Sequence, residues 1–105
     1  MDQDAAAKTR KLLASLWTRN LPMMKDRLQL LERAAETARS ASLTAPLRRD
    51  AATTAHKFAG SLGMFGYTES TEIARKLELI FDDPSAPDPE QLLDLVAQLR
   101  RSLKL

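Results

Sequence analysis

The chain has 105 residues, no cysteine, one histidine and a formal net charge of +2. That length suits one compact domain over residues 1–105 with a core of its own. The absence of thiols excludes a disulfide framework or thiolate metal centre, a lone histidine does not make a zinc site, and interspersed charges without a basic stripe speak against nucleic acid.

Ala, Leu, Glu, Lys and Arg outnumber β-branched residues, which predicts an all-α fold. Apolar periodicity and punctuation divide the chain into five helical segments. The first, 4–18, has Asp2 or Asp4 as its cap and carries Leu12, Leu13, Leu16 and Trp17. The second begins after Asn20 with Pro22 in its first turn and runs to Ser40, with Leu28, Leu31, Ala35 and Ala38 at helical spacing. Met23, Met24 and Met64 read as gap-fillers in the core.

Thr44 caps the third helix, Pro46 sits in its first turn, and Leu47, Ala51, Ala55, Phe58, Leu62 and Phe65 repeat at helical spacing until Gly66 closes it. Thr68 opens a fourth helix, 69–82, bearing Ile73, Leu77, Ile80 and Phe81. The prolines of DDPSAPDP then break the chain. Asp88, Pro89 and Gln91 form a capping-box pattern ahead of a last helix with Leu92, Leu95, Val96, Leu99 and Leu103. Short links favour antiparallel neighbours, so the expected architecture is an up-down-up-down four-helix bundle with an extra N-terminal helix packed across it. A monomer is expected. No apolar run approaches the ~20 residues of a membrane span, and MDQDAAAKTRKLL is charged where a signal peptide would be apolar, so the expected location is the cytoplasm, away from the membrane.

The stretch AHKFAGSLGMFG, 55–66, holds the histidine and all three glycines. On a helical wheel the apolar positions from Leu47 to Phe65 fall within about 80°, whereas His56 lies roughly 150° from the centre of that stripe. Its wheel neighbours are Arg49, Ala52, Thr53, Ala59, Gly60 and Gly63, so the ring is predicted to face solvent. Each mid-helix glycine costs about 1 kcal/mol relative to alanine, a cost with a purpose if another protein must come close to the ring. An exposed histidine acts as an acid, a base or a nucleophile. A tight bundle offers no substrate pocket for self-contained acid–base catalysis. A nucleophile visited by a partner that brings its own metal and active site fits better, because phosphoryl transfer depends mostly on positioning and charge neutralisation.

His56, Gly60, Ser61, Gly63 and Gly66, with Ala55 before the histidine and Phe58 after it, resemble the signature of histidine-containing phosphotransfer domains, and ESTEIARKLE, 69–78, is similar to the helix that follows in them. The resemblance implies that His56 is phosphorylated on its outer ring nitrogen and exchanges the group with an aspartate of a response-regulator receiver domain, which brings the magnesium ion. It also implies a sensor histidine kinase or hybrid kinase as the source of phosphate, since no ATP-binding element fits in this chain. Glu78 aligns with a glutamate that, in phosphotransfer domains resembling those of chemotaxis kinases, bonds the inner nitrogen and holds the tautomer; the alternative reading is a solvated helix residue. The pattern is broken at Ala59, where the family usually carries a lysine. Arg49, two turns before the histidine, is the better-placed substitute, and Lys57 reaches the phosphate only through its flexible stem. A competing reading keeps the docking face and drops the chemistry: a receiver-binding module that no longer transfers phosphate. Ser61 is expected to bond back to the preceding turn, and Arg48, Arg49 and Lys57 can also be read as an ordinary solvated patch.

Overall fold

The computed structural model describes residues 2–105, with side chains from residue 4 onward. Four helices follow in order: α1 (Asp2–Ser40), α2 (Ala45–Met64), α3 (Thr68–Asp82) and α4 (Pro89–Leu103), with no strand among the described residues. Each helix packs on the next and α4 closes onto α1, giving the expected antiparallel four-helix bundle. Met24, Leu28 and Leu31 of α1, Phe58 and Leu62 of α2, Leu77 and Phe81 of α3 and Leu92 and Leu99 of α4 fill its centre.

The extra N-terminal helix does not exist as a separate element. The segment expected at 4–18 and the one expected after Asn20 are a single helix of 39 residues that carries Pro22 in its interior. Proline removes one main-chain donor and crowds the carbonyl four residues back, at a cost of about 3 kcal/mol, but it does not force the chain apart when both flanks are held. Met24, Leu28 and Leu31 are buried on one side of it. On the other, Trp17 packs edge-on against Phe65 with centroids 5.2 Å apart and against Tyr67 at 4.9 Å. At 1.5 Å per residue α1 is about 58 Å long and α2 about 30 Å, so α1 overhangs the bundle and draws the molecule out to 55 × 21 × 21 Å. Asp4 lies within α1, and the Asp2 side chain lies outside the described residues.

The other helix ends follow the sequence closely. Thr44 accepts from the Leu47 amide at 3.3 Å. Gly66 takes φ +80°, its amide donates to the Gly63 carbonyl at 3.1 Å and the Tyr67 amide donates to the Leu62 carbonyl at 3.0 Å. These two bonds form a Schellman closure, which needs a residue without a side chain at Gly66. Asp88 caps α4 by accepting from the Glu90 amide at 3.0 Å.

Between helices, the Ser70 and Ser102 hydroxyls meet at 2.6 Å across α3 and α4. Arg100 forms a two-pronged pair with Glu32 of α1, at 2.7 and 3.2 Å, and the contact holds the guanidinium above its ordinary pKa. Arg48 is half-buried and donates to the Phe81 carbonyl at 2.8 Å and to the Asp82 carbonyl at 3.4 Å. It thereby satisfies the open C-terminal carbonyls of α3 and places a cation at the negative end of that helix. It is therefore no ordinary solvated residue.

Candidate functional site

Helix α2 buries more than the single stripe read from its wheel. Ala51, Ala55, Phe58 and Leu62 face the centre as expected, but Ala52 and Ala59, placed by the wheel on the solvent side with His56, are buried as well. A single apolar stripe describes one contact face, whereas in the bundle α2 packs on both α1 and α3. The two alanines lie at the seam with α3, where the absence of larger side chains lets the helices approach. His56 stands at the edge of this seam with its side chain 73% exposed.

Close approach has one direct result. Glu78, half-buried on α3, brings Oε2 to 2.7 Å from His56 Nδ1. An ionised carboxylate only accepts hydrogen bonds, so Nδ1 carries the proton and donates it. In the neutral ring Nε2 is then left with its lone pair free. The pairing requires the two helices in one rotation, and the structure has that rotation.

Gly60 is exposed, and a Cβ built there would meet nothing within 4 Å. A Cβ at Gly63 would only touch the Thr71 side chain, at 4.0 Å. Nothing inside the molecule therefore requires a glycine at Gly60 or Gly63; the space they leave is on the outside.

Two shallow depressions flank the ring. One is lined by His56 and Glu78 with Arg48, Arg49 and Asp82, the other by His56 and Glu78 with Gly60, Arg75 and Leu79. Of the cations expected near His56, Arg49 is thus brought beside it, whereas Lys57 is exposed and lines neither depression. Arg75 and Leu79 were not singled out from the sequence. Both flank Glu78 on α3, and it is the packing of α3 against α2 that brings them to the histidine.

Other side chains depart from expectation. Ser61 does not bond back to its own helix but accepts from Arg27 Nη1 of α1 at 3.0 Å. Only Met24 of the three methionines fills the core; Met23 and Met64 are exposed.

The class is defined by an antiparallel helical bundle that presents one exposed imidazole oriented by a carboxylate. The Hpt domain model matches residues 15–104. The chain belongs to that family, the histidine-containing phosphotransfer domains of two-component signalling. It is similar to Protein RcaC of Microchaete diplosiphon, 38% identical over 66 residues, which is 63% of this chain and 10% of that protein. The chain thus spans about a tenth of the relative it matches. No solved structure matches it significantly. Among the described residues no helix is long and apolar enough to cross a membrane.

Proposed function

We propose that His56 is the phosphoacceptor and that it exchanges a phosphoryl group with an aspartate of a response-regulator receiver domain, phosphate entering the relay from a sensor histidine kinase or hybrid kinase. The observation that carries this reading is the contact between His56 Nδ1 and Glu78 Oε2 at 2.7 Å on a ring otherwise open to solvent. Nε2 attacks the phosphorus of an aspartyl phosphate. The N–P bond forms as the P–O bond breaks, and the electron pair of that bond leaves on the aspartate carboxylate. The Nδ1 proton stays on the ring, where Glu78 balances the positive charge that the imidazole acquires. The reverse sequence returns the group to a receiver. Magnesium belongs to the receiver in this scheme, and His56, Glu78, Arg49, Lys57, Gly60 and Gly63 make up this chain's share of the site. The chain works as a cytoplasmic monomer in this reading.

Incubation with a phosphorylated receiver tests the proposal. Wild type is expected to take up acid-labile, base-stable label and a His56→Gln variant none. Label on neither protein makes the chain a docking module without transfer; equal label on both moves the acceptor to another residue.

A further inference from the structure

We propose that Arg75 of α3 supplies the positive charge for the phosphoryl group on His56, from the depression on the Gly60 side of the ring. The assignment rests on the proposed transfer at His56. The transferred group spreads negative charge over three oxygens around Nε2, and transfer is fast only where fixed cations meet that charge. The two depressions beside the ring offer different cations for this task.

On the first side a carboxylate stands among the cations. Arg48 is committed to the Phe81 and Asp82 carbonyls, and the Asp82 carboxylate lines the same depression as Arg49. An incoming phosphoryl dianion would meet that carboxylate together with the arginine. On the second side Arg75 is exposed and makes no ion pair among the described residues, and the only carboxylate in the lining is Glu78, which His56 already engages.

The antiparallel packing of α2 and α3 sets Arg75 in place. One turn up α2 from His56 leads to Ala59 and Gly60, and one turn back along α3 from Glu78 leads to Arg75, so the two levels coincide. Ala59 and Gly60 offer no side chain long enough to obstruct a guanidinium reaching from α3 towards Nε2. A guanidinium can grip two phosphoryl oxygens at once, which a lysine cannot do in the same geometry. Leu79, 72% exposed on the same rim, adds an apolar contact for whatever protein delivers the phosphate.

The test compares wild type with Arg75→Ala, Arg75→Lys and Arg49→Ala in single-turnover loading from a phosphorylated receiver and, separately, from phosphoramidate, a small donor that needs no docking. Arg75→Ala is expected to slow loading at least about tenfold with both donors, with Arg75→Lys between it and wild type and Arg49→Ala slowed less than Arg75→Ala. Helical circular dichroism should be unchanged in all of them. Slowing by Arg75→Ala with the receiver but not with phosphoramidate would make Arg75 a docking contact and overturn the proposal. So would loading at the wild-type rate with both donors, or a larger loss in Arg49→Ala. Wild type that accepts no label from either donor removes the transfer reading itself, and the role of Arg75 with it.

Discussion

Glu78 Oε2 lies 2.7 Å from His56 Nδ1, a contact between residues 22 positions apart on two different helices. The ring is largely solvated while the carboxylate is half-buried, so the fixed partner is the glutamate and the histidine is oriented by it. Glu78→Gln keeps an oxygen that can accept from Nδ1 and loses the charge, whereas Glu78→Leu loses both. Single-turnover transfer from a phosphorylated receiver should therefore fall about tenfold or less in the glutamine variant and by about 100-fold in the leucine variant. Equal rates in the two variants would separate tautomer control from catalysis.

The open space at Gly60 leads to a second expectation. Gly60→Leu removes a mid-helix glycine and meets no atom inside the molecule, so thermal unfolding should show unchanged or raised stability. Receiver-dependent transfer should nevertheless slow about tenfold or more, because a misplaced partner loses near-attack geometry. Unchanged kinetics would mean that access to the ring does not depend on this position.

Pro22 distinguishes a continuous α1 from two consecutive helices. Inside a helix the proline is a burden, and Pro22→Ala should raise stability by about 1–3 kcal/mol in urea titrations. At the start of a separate helix the proline would be favourable, and the same substitution would be neutral or destabilising.

Phe58 is fully buried two residues after the histidine and anchors α2 to the core. Phe58→Ala should cost about 3–5 kcal/mol, read from the urea midpoint. A loss below about 1 kcal/mol would mean that the core closes around the gap.

Much of this arrangement could be read from residue order. Thr44, Gly66 and Asp88 marked helix ends through local chemistry that tertiary contacts did not override. The exposure of His56 followed from its angle to the stripe formed by Ala51, Ala55, Phe58 and Leu62. The errors came where a residue's role depends on a second helix. Pro22 is a common first-turn residue, and only the Trp17 contacts with Phe65 and Tyr67, far along the chain, show why α1 continues through it. Ala52 and Ala59 look like solvent-side positions until α3 is laid against them. Arg75 carried no local signal, because its neighbourhood with His56 is created by antiparallel packing and not by spacing within one segment.

The grip of Arg48 on the end of α3 reaches further than helix capping. Its bonds to Phe81 and Asp82 act as an axial stop: α3 cannot slide by a single 1.5 Å step along its neighbour without stretching them. The alignment of the imidazole is thus calibrated about two turns away along α2, by a side chain that belongs to α2 and fastens to α3. Damage at that fastening would detune the reactive nitrogen while leaving both the histidine and its carboxylate in the sequence.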